Sequence, residues 1–139
     1  PYSHIVLAVG TNDMKNFLTA KRFKRGFGGL LYAVKARWPE AKIFWSPMID
    51  MRNVPAFPAA LAAILEMRGR IINRMGRQLC QERYATVAPQ LDSSNPLGFS
   101  HDGFHASVAG DPHWAQLLAR TILEHEDPRD TVEDARAAE

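Results

Sequence analysis

The chain opens on an uninterrupted apolar run rich in β-branched residues, Ile5 to Val9, closed by Gly10. A run without polar alternation predicts a strand covered on both faces, as in the interior of a parallel sheet. Helical spacing follows over Phe17 to Trp38, where Leu30, Leu31, Val34 and Trp38 share one side before Pro39 ends the element. Ala41 to Ser46 predicts a second strand, stopped by Pro47, and Met48 to Pro58 a loop broken by Pro55 and Pro58. Ala59 to Tyr84 predicts a long helix with an apolar stripe of Leu61, Ile64, Leu65, Ile71, Ile72, Met75 and Leu79. Ala85 to Leu91 supplies a third short strand, Asp92 to Ala106 a polar loop, and Trp114 to Leu123 a last helix. There is no internal repeat.

Strand and helix therefore alternate three times. That order implies right-handed crossovers and a parallel sheet with helices on its faces, an α/β/α architecture. In such sheets ligands sit beyond the carboxyl ends of the strands. Two polar clusters fall at that edge: Gly10-Thr11-Asn12-Asp13 after the first strand, and the Asp92–His105 loop after the third.

Composition narrows the class. With 139 residues, 46% hydrophobic and 23% charged, the chain can build one modest core and lacks the polar excess of disorder. The single cysteine, Cys80, excludes an internal disulfide and reads as a small buried hydrophobe on the long helix. No apolar run approaches the roughly 20 residues of a membrane span. The start, Pro-Tyr-Ser-His, carries no basic targeting region, and only that absence favours the cytoplasm. The formal charge of +2 is uneven: Glu126 to Glu139 holds six acidic and two basic residues, so this tail carries −4 and the rest +6. The tail is expected to fray and residues 1–125 to form the domain. Arg68, Arg70, Arg74, Arg77 and Arg83 read as a solvated helix face, and no nucleic-acid partner is expected. The basic, glycine-rich stretch Lys21–Gly29 lacks the GxxxxGK[ST] phosphate loop and is expected to be a flexible border of the site.

Asp102-Gly103-Phe104-His105 sets a carboxylate and an imidazole three residues apart. Within one turn the carboxylate can bind one ring nitrogen and leave the other as a base for a hydroxyl nucleophile. The same residues could equally cap the next helix. Asn12, two residues beyond a rigid strand, could donate to a developing oxyanion or could simply form an Asn-Asp turn. His101, His105, His113, Asp92, Asp102 and Asp111 have no paired metal-ligand spacing, so neither metal nor cofactor is expected. Met48, Ile49, Met51, Val54 and Phe57 could wall an acyl pocket or pack beneath their loop.

Taken in order, these residues resemble the SGNH (GDSL-type) serine hydrolases. Gly10-Thr11-Asn12-Asp13 is similar to the family's GxND block and Asp102-Gly103-Phe104-His105 to its DxxH block, with Ala106–Gly110 and Trp114-Ala115 continuing the likeness. The resemblance implies a flavodoxin-like α/β/α fold hydrolysing small esters through a Ser-His-Asp triad. Asn12 would be oxyanion donor, supported by the Gly10-Thr11 turn, His105 general base, and Asp102 its orienter. The family's Gly-Asp-Ser block is nowhere in the sequence, and Ser93 and Ser94 lie in the late loop. The expectation is therefore the C-terminal part of a hydrolase whose first strands and nucleophile lie upstream of Pro1. An apolar Ile5–Val9 edge then needs covering by that segment or by a partner chain. The alternative is a catalytically inactive, hydrolase-like interaction module.

Overall fold

A computed structural model describes residues 2–126. The acidic tail from 127 onward lies outside the described residues.

Three parallel strands form the sheet: β1 (His4–Leu7), β2 (Lys42–Trp45) and β3 (Thr86–Val87), in the order β1-β2-β3. His4 to Leu7 stand opposite Lys42 to Trp45, and Phe44 and Trp45 opposite Thr86 and Val87. The third strand is much shorter than Ala85–Leu91. Ala88 still donates to the Trp45 carbonyl (2.9 Å), but Pro89 has no N–H with which to continue the ladder.

The helices are α1 (Thr11–Lys15), α2 (Ala20–Arg37), α3 (Ala59–Glu82) and α4 (Asp111–Glu124). The helix expected from Phe17 starts at Ala20 instead, and the short α1 before it is unexpected. Phe17 takes a positive φ of 54°, and Thr19 opens α2 by accepting the Arg22 N–H on its hydroxyl (3.2 Å). Lys21–Gly29 is therefore regular helix within α2, not a flexible border, and none of it lines the cavity described below.

Because side chains alternate along a strand, Ile43 and Trp45 face one side and Phe44 the other. Helices α2 and α3 cover the first side. Phe23, Phe27, Leu31, Leu65, Ile72 and Leu79 pack there around Trp45, whose ring lies 5.3 Å from that of Phe27. Helix α4 crosses the second side: Trp114 Nε1 donates to Ser46 Oγ (3.2 Å), and His125 sits edge-on to Phe44. This makes three layers. The third is thin, since Thr121 is the one buried residue of α4. Val6, in register with Phe44, is 38% exposed, so β1 is an apolar edge strand open on the α4 side rather than covered on both faces.

On α3 the expected apolar stripe is half right. Leu65, Ile72 and Leu79 are buried, whereas Ile64 and Ile71 are exposed. The buried face instead includes two polar residues, Glu66 and Asn73, which fasten the loop after β2. Asn73 Oδ1 accepts from Met48 N and its Nδ2 donates to Met48 O, both at 3.0 Å. Glu66 Oε2 accepts from Met51 N (2.9 Å) and Oε1 from Arg70 Nε (2.9 Å). Arg68 is not merely solvated either: it donates to the Leu18 carbonyl at 2.7 Å and covers the Phe17 ring, sealing the end of α1. Cys80 is fully buried, and burial pushes its thiol up to about 11.

Within this loop Asp50 caps a 3-10 turn over Met51–Asn53 and pairs with Arg52, which holds its carboxyl down at about 2. A depressed carboxyl contributes stability above its unfolded value of 3.8 and loses it as pH falls toward 2. Urea midpoints measured at pH 5 and pH 2.5 should show this loss, and Asp50→Asn should shrink the difference. An unchanged difference in that variant would contradict the assignment.

Candidate active site

The loops leaving the carboxyl ends of all three strands meet around a cavity of about 1000 Å³. Ala8 and Val9 enter it from beyond β1, Ser46 to Ile49 from beyond β2, Gln90 to Asn95 from beyond β3, and Trp114 and Leu117 from α4. Met48, Met51 and Val54 resolve their two readings together, being buried in the core on one side and lining the cavity on the other. Phe57 packs instead on the Phe104 ring, 5.7 Å away.

The Asp102–His105 turn is built by its own backbone. Asp102 Oδ1 accepts from Phe104 N (2.9 Å), His105 N (3.0 Å) and Ser100 Oγ (2.7 Å). Gly103 sits at φ 67°, and a Cβ there would come within 2.9 Å of Ala56 N, which donates to the Gly103 carbonyl. Glycine is required on both counts. The turn is thereby pinned to the loop after β2. With Oδ1 so occupied, Oδ2 meets His105 Nδ1 at 2.5 Å. The His105 contact, then the Ser100 hydroxyl and the two backbone N–H groups, hold the Asp102 carboxyl well below the usual carboxylate range. It is ionised at neutral pH, so Nδ1 must be the donor, and in the neutral ring the lone pair lies on Nε2. His105 lines the cavity, its side chain is 74% exposed, and Nε2 has no hydrogen-bond partner among the described residues.

The first cluster is organised by Gly10. It stands before α1 at φ 123°, buried against Phe23, Ile72 and Met48. Thr11, the first residue of α1, lines the cavity with His105. Asn12 lies one residue further along the exposed side of that turn; its side chain makes no hydrogen bond and does not line the cavity. The structure thus brings Thr11, Asp102 and His105 to one edge of the sheet and leaves Asn12 off the cavity lining. Lys15 links the clusters, its Nζ lying 5.0 Å over the Phe104 ring, which is itself edge-on to His105 at 5.0 Å.

No serine hydroxyl of the described residues is hydrogen-bonded to the His105 ring. Ser100 serves Asp102, Ser107 donates to the Leu97 carbonyl, Ser46 receives Trp114, and Ser93 is buried beneath Asn53. Among the described residues no group of three or more His, Cys, Asp or Glu could hold a metal ion. Helix α4 begins at Asp111 behind Gly110, three residues before the expected Trp114, and His113 binds the Ala109 carbonyl. No described helix is long and apolar enough to cross a membrane. Sequence reading missed Glu66, Asn73 and Gln90, whose amide donates to Met48 O at 2.7 Å. The signal lay in two polar residues, seven apart, on the face of α3 shared with Leu65, Ile72 and Leu79.

The architecture is a three-layer α/β/α fold on a parallel sheet, with the Asp102–His105 pair at the carboxyl edge of that sheet. The chain belongs to the GDSL-like lipase/acylhydrolase family, whose model matches residues 2–118. Two solved structures show the same fold. One, LAE5, is an alpha/beta hydrolase enzyme from the metagenome of Lake Arreo, Spain, 11% identical, with a TM-score of 0.65 over 86% of this chain. The other is a candidate GDSL-like lipase from Parabacteroides merdae, 19% identical, with a TM-score of 0.68 over 84% of this chain. In each case the chain spans 59% of the other protein's length. No curated protein matches it.

Proposed function

We propose that this chain is the base-bearing part of an ester hydrolase acting through a Ser-His-Asp triad. The observation that carries the reading is the 2.5 Å Asp102–His105 contact, which leaves Nε2 unpartnered on the cavity wall. In this mechanism Nε2 takes the proton of a serine hydroxyl as that oxygen attacks the ester carbonyl. Asp102 holds the ring and stabilises the imidazolium, which then protonates the leaving alkoxide. Water repeats the sequence to release the acid. Asn12, at the N-terminal end of α1, is the oxyanion donor in this reading, with Gly10 and Thr11 setting the turn that presents it. A substrate would close the gap between Asn12 and the cavity by placing its oxyanion there. The substrate is a small ester whose acyl side contacts the apolar cavity wall around Met48 and Ile49.

The nucleophile is assigned to a segment upstream of Pro1. Two observations support this: no described serine hydroxyl is hydrogen-bonded to the His105 ring, and β1 presents an open apolar edge beside the cavity. A strand carrying the serine, from the same protein or a partner chain, would cover that edge. The test is fluorophosphonate labelling. The 139-residue chain should stay unlabelled and inert toward p-nitrophenyl acetate, whereas the product of the upstream-extended reading frame should be labelled on a serine before Pro1. Labelling of a serine within residues 1–139 would overturn the assignment. An extended product that folds but takes no label would favour the inactive interaction module.

A further inference from the structure

The outer side of α3 carries a pattern that the hydrolase reading does not use. At 100° per residue, Ile64, Met67 and Ile71 lie in one strip facing away from the sheet. They are 47%, 59% and 49% exposed. Arg70, Arg74 and Arg77 run along one border of that strip. Arg68 runs along the other, stacked on Phe17, which is itself half exposed at the end of α1. Arg70 is bound to Glu66, but neither Arg74 nor Arg77 has an acidic partner or a hydrogen bond among the described residues. Burial of the helix's opposite face fixes this orientation, so the strip cannot rotate inward. An apolar row bordered by arginine is the pattern by which a helix lies on a lipid surface. The side chains enter the headgroup boundary and the guanidinium groups meet lipid phosphates.

We propose that this face of α3 docks the protein on an anionic lipid surface, with Ile64, Met67 and Ile71 inserted and Arg74 and Arg77 on the phosphates. Charge selects this occupant. A second copy would bring the same unpaired arginines into opposition, and a nucleic acid would leave isoleucine and methionine with no base to stack on. The inference is independent of catalysis, because docking requires neither His105 nor a nucleophile.

Sedimentation of the 139-residue chain with phosphatidylcholine vesicles, with and without phosphatidylglycerol, tests it. Binding is expected to the anionic vesicles only and to weaken at high salt. Arg74→Gln with Arg77→Gln should lower partitioning roughly 20-fold, at about fivefold per arginine, while lysine at both positions should retain most of it. Met67→Ser with Ile71→Ser should release the protein with the arginines intact, and circular dichroism of each variant checks the fold. These positions are exposed, so the fold should survive. Absence of binding, equal binding to neutral vesicles, or binding untouched by both pairs of substitutions would overturn the proposal. So would capture of an oligonucleotide without vesicle binding, or a dimer that Met67→Ser with Ile71→Ser dissociates.

Discussion

Replacing His105 with Ala in a form of the enzyme that hydrolyses p-nitrophenyl acetate is expected to lower kcat about 10⁴-fold or more, with little change in KM. The asymmetry follows from where the imidazole sits. Its exposed Nε2 makes no hydrogen bond among the described residues, Nδ1 engages only Asp102, and the ring's packing is limited to the exposed edge contact with Phe104. In the proposed reading substrate binding relies on the apolar wall around Met48, Ile49 and Trp114, which the substitution leaves alone. The effect therefore falls on the chemical step. Residual turnover should reflect whatever oxyanion stabilisation remains. Far-ultraviolet circular dichroism should be unchanged, because the Asp102 turn is held by Ser100 and by backbone N–H groups. Wild-type turnover in the variant would show that His105 is not the base.

The parts of the fold legible in the sequence are those where one physical signal dominates. An apolar β-branched run fixes β1, and prolines end α2 and β2. The Asp102–His105 spacing is legible because the whole unit lies within one turn, where sequence distance and spatial distance nearly coincide. Phe17 shows the opposite case. Its left-handed backbone separates the unexpected α1 from α2 and delays the expected helix start, yet phenylalanine is a poor residue for that conformation and leaves no signature. Exposure on α3 was misjudged because hydrophobicity marks a face without saying what covers it. Ile64 and Ile71 look like core residues, whereas Glu66 and Asn73 look like surface residues until the loop whose backbone they satisfy is in place. Asn12 sits between these cases. Its position next to a rigid strand is readable, but its distance from His105 depends on how α1 is set on Gly10, which no local pattern encodes.

Gly76→Ala should be among the most destabilising single-methyl changes in the chain, although alanine is the better helix former. A Cβ at Gly76 would overlap the Trp45 ring, as its Cζ2 and Cζ3 atoms lie 2.7 and 2.6 Å away and Cη2 closer still. Trp45 has no room to give. It is fully buried, wedged against Phe27, and its Nε1 donates to the Val9 carbonyl at 3.0 Å. That bond ties the indole to the chain just before Gly10, so moving the ring disturbs the turn that leads into α1. Helix propensity favours alanine by about 1 kcal/mol, whereas overpacking a close-fitted core costs ~1–3 kcal/mol and here meets a rigid ring. The overlap wins, for a net loss of up to about 2 kcal/mol and a fall in Tm of at most roughly 4–10 °C. Gly69, two turns earlier on the same helix, supplies the control. Nothing lies within 4 Å of its missing Cβ. Gly69→Ala should therefore raise stability by up to about 1 kcal/mol through propensity alone. Thermal melts of the two variants should move in opposite directions, and a shared direction would mean that the contact between α3 and Trp45 is looser than the geometry requires.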